Sequence, residues 1–155
     1  MTELKIALFL HLLGAFLLVS GLAVVEVAYE TARRKRVPAE IAVLLGLSRI
    51  GVALTIAGAL AAFGFGLWLT DLRSLGDAGW IDAAVVLLVA LIAIGTLAGQ
   101  RPRRARELAL ELARESEGET PELRALLDDS STLVANYVSA LIVLAIIALM
   151  VFRPG

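Results

Sequence analysis

The stretch IALFLHLLGAFLLVSGLAVVEVAY, Ile6 to Tyr29, decides the fold. It is apolar or small almost throughout, and only His11 and Glu26 interrupt it before Tyr29. A hydrocarbon layer about 30 Å thick takes roughly 20 helical residues to cross, so this stretch reads as a membrane span. A cleaved signal peptide is the competing reading. It fits poorly, because the lead carries one lysine (Lys5) offset by Glu3, the apolar run is too long, and no clear small-x-small site closes it.

Working outward, three more charge-poor blocks follow: Ile50 to Thr70, Ala83 to Gly99 and Ser130 to Phe152. The whole chain of 155 residues is 59% hydrophobic with a mean hydropathy of +0.87, against 45–50% apolar in a typical soluble domain, and the excess falls in these blocks. In lipid every backbone polar group needs an internal partner, so spans of this kind are helices. The expected fold is all-α, a polytopic membrane protein built as a four-transmembrane-helix up-down bundle with a helical cytoplasmic hairpin between spans 3 and 4. The whole chain, 1–155, reads as a single membrane domain, with spans at about 6–29, 48–70, 82–100 and 130–152.

The connections carry the charge. Glu30 to Arg36 is basic, and Pro38 suits the first turn of a helix that runs through Ala39 to Ser48 into span 2. Asp71 to Asp82 is a short polar turn, with Gly76 and Gly79 as breakers and Trp68 and Trp80 placed for an interfacial aromatic belt. Gln100 to Asp129 is hydrophilic. Its first part, through Arg114, has helical periodicity and extends span 3; Glu115 to Glu119 breaks it. Thr120-Pro121-Glu122 then starts a second helix, with a capping hydroxyl, proline at the first position and an acid in the first turn.

Lys and Arg set the orientation. Ten of them (Arg33, Arg34, Lys35, Arg36, Arg101, Arg103, Arg104, Arg106, Arg114 and Arg124) fall on one side, against Lys5, Arg73 and Arg153 on the other. Segments 30–47 and 101–129 are therefore expected in the cytoplasm and both termini outside. The plain role of these cations is to fix topology and touch anionic headgroups. The 101–116 segment mixes acids with bases, so no nucleic acid is expected as a partner.

The absent motifs exclude much chemistry. The chain has no cysteine and one histidine, so thiolate catalysis, disulfides, iron–sulfur clusters and multi-histidine metal sites are out. It has no phosphate-binding loop, dinucleotide fingerprint or His-x-x-x-His pair. No catalytic constellation is expected, and enzymatic activity is less expected than its absence.

What remains is polar groups at membrane depth. His11 lies about two turns inside the outer end of span 1. It is either a neutral imidazole bonded to a neighbouring helix or a cofactor-binding group for haem or quinone, or part of a proton relay; Met150 near the outer end of span 4 is a conceivable second axial ligand. Glu26 and Arg49 lie near the inner ends of spans 1 and 2. Antiparallel neighbours put them at similar depth, so a structural ion pair is the favoured reading. Asn136, a turn inside span 4 beside Tyr137, is placed to join them, and Glu26, Arg49 and Asn136 form the expected buried polar cluster. Small residues recur at Gly58, Ala62 and Gly66 in span 2, at Gly95 and Gly99 in span 3, and at Ser131, Ala135 and Ser139 in span 4. Such rows let helices approach closely in lipid.

Several short motifs run together here: Phe9-Leu10-His11-Leu12-Leu13-Gly14-Ala15, the basic loop after span 1, and Arg49 before a glycine-rich span 2. Gly79-Trp80, Gln100-Arg101, Asn136 and the ending Arg153-Pro154-Gly155 complete the set. In this the chain resembles the domain-of-unknown-function 2269 family of predicted integral membrane proteins. It departs in lacking a tryptophan after the histidine motif and a proline in span 2. The resemblance implies the fold and no reaction. A more distant likeness is to four-helix membrane proteins of the copper-resistance D and membrane protoporphyrinogen-oxidase types. It implies a copper or haem role for an early histidine, which here is His11 alone.

The expected function is that of a non-enzymatic membrane protein in a bacterial plasma membrane. It would act by self-association as a homo-oligomer or as an accessory subunit of a larger membrane complex. The alternatives are a haem- or quinone-binding redox protein using His11, and a small transporter using the Glu26, Arg49 and Asn136 cluster.

Overall fold

A computed structural model describes residues 2–73 and 79–152. Gly76, Arg153 and the Arg-Pro-Gly ending lie outside the described residues. Six helices follow in order: α1 (Thr2–Arg33), α2 (Pro38–Leu72), α3 (Gly79–Ala98), α4 (Gln100–Arg114), α5 (Pro121–Leu127) and α6 (Ser130–Phe152). Among the described residues there is no strand. Four helical stretches, α1, α2, α3 with α4, and α5 with α6, are long and apolar enough to cross a membrane.

The local signals act where the sequence places them. Pro38 opens α2 at its first turn, where its missing N–H costs nothing. The Thr120 hydroxyl caps α5 by accepting the Leu123 N–H at 3.3 Å. α4 follows α3 with only Gly99 between them, so span 3 does run on beyond its apolar part. The break after α4 is made at Ser116, within the Glu115 to Glu119 stretch. Ser116 takes a left-handed φ of 57°, and the Glu117 N–H reaches back to Leu112 O at 3.0 Å, a six-residue C-terminal closure.

α1 and α2 form an antiparallel pair with very close backbones. Gly14 faces Ala61 and Ala62, Gly58 faces Leu18 and Gly14, and Gly21 faces Thr55 and Gly51. A Cβ on Gly14 or Gly21 would lie 2.5 Å from a backbone nitrogen of the other helix, closer than any side chain tolerates. The buried positions Ala7, Gly14, Gly21 and Ala28 repeat every seven residues, the spacing that winds a helix pair left-handed. The Gly58-Ala62-Gly66 row is therefore filled within the chain by α1. Apolar burial drives no association between helices in lipid; here dispersion contacts and weak contacts between facing backbones take its place.

The two helix pairs, α1–α2 and α3–α6, meet along a thin seam. It consists of Leu18, Ala59 and Leu91, with Leu22, Leu88, Ile142 and Val143 packed around them. The larger core lies at the basic end. Tyr29 and Ala32 of α1, Ile41, Ala42 and Leu45 of α2, Ala105, Ala109 and Leu112 of α4, and Leu123 and Leu127 of α5 are all buried there. Charged side chains surround this core, so water is its solvent and the hydrophobic effect applies. Each fully buried Leu or Ile contributes about 1.5–3 kcal/mol. The Tyr29 hydroxyl donates to Leu127 O at 3.0 Å inside it. Tyr29→Phe keeps the ring but orphans that carbonyl, and is expected to lower the unfolding free energy by about 1 kcal/mol in a denaturant titration followed by circular dichroism.

Candidate functional site

The polar groups named from the sequence fall into two places. His11 sits on α1 where α2 passes it, half-buried. Its Nδ1 lies 2.8 Å from Ala62 O. A carbonyl only accepts, so Nδ1 carries the proton and Nε2 is left as an acceptor. Gly66 makes the geometry possible: a Cβ there would stand 3.1 Å from Nδ1. The interhelical hydrogen bond is thus present. Nε2 is the one position at which the ring would meet an iron, a quinone or a proton donor. Among the described residues no three His, Cys, Asp or Glu side chains converge.

The second place is a cleft of about 280 Å³ between the basic end of α1 and the start of α6. Glu26, Tyr29 and Glu30 line it from α1, Arg34 from the turn that follows, and Leu133, Asn136 and Tyr137 from α6. Glu26 and Glu30 are four residues apart and share one helix face, and Arg34 follows just past the end of α1. Asn136 and Tyr137 open the opposing wall because α6 begins only a turn and a half earlier, at Ser130. Glu26 and Asn136 thus line the same cleft.

Arg49 is not part of it. It stands exposed on α2, without an ion-pair partner among the described residues, and the expected Glu26–Arg49 bridge is absent. The reason is rotational. α2 turns Gly51, Thr55 and Gly58 toward α1, and Arg49, about 200° round the helix from Gly51, points away from that contact. Equal depth did not give a shared face.

The charges around the cleft differ sharply in how they are satisfied. Glu30 is held by Arg34 at 2.9 Å and by Arg33 at 3.4 Å. The Arg34 hydrogen bond keeps its carboxyl below the usual range. Asp129, at the mouth of α6, accepts from the Ser131 hydroxyl and pairs with Arg101. The Ser131 hydroxyl, the Arg101 guanidinium and the Thr132 backbone N–H hold it below its ordinary value as well, as suits an acid capping a helix N-terminus. Glu26 has no ion-pair or hydrogen-bond partner among the described residues.

One set of residues escaped the sequence reading. Arg124 of α5 donates to Arg33 O at 2.6 Å and to Lys35 O at 2.9 Å, and pairs with Glu119 and Asp128. It thereby satisfies carbonyls that the end of α1 leaves open and locks the α1–α2 turn to the hairpin. The sequence offers only a basic residue in a short helix, and nothing in it points to α1.

The family model for predicted integral membrane proteins designated DUF2269 matches residues 5–154; the chain belongs to that family and is an integral membrane protein. No curated protein matches it, and no solved structure does.

Proposed function

We propose that this DUF2269 member is a non-enzymatic protein of a bacterial plasma membrane whose basic end faces the cytoplasm. Its working site on this reading is the α1–α6 cleft, which takes up a cationic group. The unequal distribution of Lys and Arg supports the orientation. One observation carries the site: the Glu26 carboxylate lines the cleft without an ion-pair partner among the described residues, because Arg34, the one cation in the lining, is held by Glu30 one turn away. A carboxylate at the edge of the hydrocarbon layer is costly unless a cation or proton meets it. Asn136 and the Tyr137 hydroxyl supply further acceptors around a small ammonium. Equilibrium dialysis of the purified protein with tetraethylammonium tests it. Glu26→Gln is expected to weaken binding about tenfold, the loss of one partly desolvated charge pair. Equal affinity in Glu26→Gln would sink the proposal.

A second reading, assembly into a homo-oligomer or a larger membrane complex, is favoured by α3. Gly95 has nothing within 4 Å of where its Cβ would stand, and Val86, Val89, Ile92 and Leu97 are exposed along the same helix. With the α2 row already covered by α1, α3 offers the free close-approach surface. A Gly95→Cys variant cross-linked in native membranes is expected to give dimers or a heavier adduct; monomers alone would overturn this reading.

A further inference from the structure

The cations of the basic end fall into two groups. Arg33, Arg34, Lys35, Arg36, Arg101 and Arg124 each have a carboxylate partner. Arg49, Arg103, Arg104, Arg106 and Arg114 have none among the described residues, and of these Arg49, Arg103 and Arg106 share one flank. Arg106 lies against α2, with its Nε 3.8 Å from where a Cβ on Gly46 would stand. That Nε is buried and finds no acceptor. α4 runs antiparallel to α2, with Ala105 and Ala109 packed in the same core as Ala42 and Leu45. Arg49 is three residues beyond Gly46, and Arg103 is three residues before Arg106. Residues three apart share a helix face, so both stand about 4.5 Å nearer the apolar windows than the Gly46–Arg106 contact. Arg49 and Arg103 thus face the same depth from two helices, at the border where span 2 becomes charge-free.

We infer that the notch between α2 and α4 binds the phosphodiester of an anionic phospholipid, held by Arg49, Arg103 and Arg106. Guanidinium groups fork onto phosphate oxygens, and basic notches between helices at the headgroup level are where acidic lipids dock. Gly46 marks where the Arg106 guanidinium lies beside the α2 backbone, at ordinary van der Waals distance from where a Cβ would stand. Leu47 and Ile50, exposed at 45% and 58%, give the acyl chains an apolar wall on the membrane side of the notch. A soluble anion would gain nothing from that wall. The inference is independent of the α1–α6 cleft, which lies on other helices and carries the opposite charge.

The test is lipid retention by the full chain in mild detergent, measured by native mass spectrometry after exchange into mixed phosphatidylglycerol and phosphatidylcholine micelles. The wild-type protein is expected to keep phosphatidylglycerol in preference to phosphatidylcholine. Arg49→Gln/Arg103→Gln, which alters only exposed side chains, is expected to weaken that retention on the order of tenfold. Arg106→Gln, nearer the core, is expected to do the same if it folds. Arg34→Gln/Arg36→Gln, which removes paired cations from the neighbouring loop, is expected to leave it unchanged. Equal retention of the two lipids, or an equal loss in the Arg34/Arg36 variant, would overturn the inference. Displacement of the lipid by millimolar inorganic phosphate would overturn it too, by showing a site for a free anion.

Discussion

Gly58→Leu is expected to unfold the α1–α2 pair. A Cβ at Gly58 would stand 2.7 Å from Gly14 O and 2.8 Å from Leu18 Cα. Both are backbone atoms, so no side-chain rotation relieves the clash and the helices must separate. Overpacking of flexible cores costs about 1–3 kcal/mol; with backbone on both sides the upper end, about 3 kcal/mol or more, applies. Separation also stretches the His11–Ala62 hydrogen bond, which lies about one turn further along α2 on the same interface. Gly64 supplies the control, since it has nothing within 4 Å on its Cβ side. Gly64→Ala is expected to stay within about 0.5 kcal/mol of the parent. Denaturant unfolding of both variants in bicelles, followed by circular dichroism, separates them. If the Gly58 variant unfolds where the Gly64 variant does, the glycine-mediated contact does not hold the pair together.

The second large effect is expected at Arg124, which ties α5 to the α1–α2 turn. Arg124→Ala removes two charged hydrogen bonds to the Arg33 and Lys35 carbonyls and leaves Glu119 with only the longer bridge to Arg36. Hydrogen bonds from charged donors contribute about 1.5–3 kcal/mol each when both partners are shielded. Arg124 keeps 24% side-chain exposure, so a total of about 2–3 kcal/mol is expected. The loss is local: the hairpin opens while the α1–α2 pair persists. Hydrogen–deuterium exchange should quicken roughly thirtyfold or more across α5 and the 33–37 turn, with no change in the 10–25 stretch. Arg124→Lys recovers less than half of this, because an ammonium cannot fork to two carbonyls. Exchange unaltered by Arg124→Ala would show that the buried leucines alone hold the hairpin.

These two positions mark how far the sequence could be read. Gly58 belongs to a row with visible four-residue spacing, so its role in close packing was legible; that its partner is α1, and no second copy, was not. Glu26 and Asn136 line one cleft because each lies at the basic end of its span, and the two spans are neighbours there. Arg49 satisfied the same depth criterion and failed, since depth follows from counting residues while direction depends on which face of α2 meets α1. Arg124 gave no signal at all.

The sequence by itself determined the helices, their number, their apolar lengths, and the starts at Pro38 and Thr120, because those depend on burial in lipid and on backbone groups within a few residues. The tertiary structure decided which face of each helix meets which other. Seven-residue spacing names a face and leaves its partner open. The partner is fixed by complementarity between stretches far apart in the chain: Gly14 with Ala62, Tyr29 with Leu127, Arg124 with Arg33, Gly46 with Arg106.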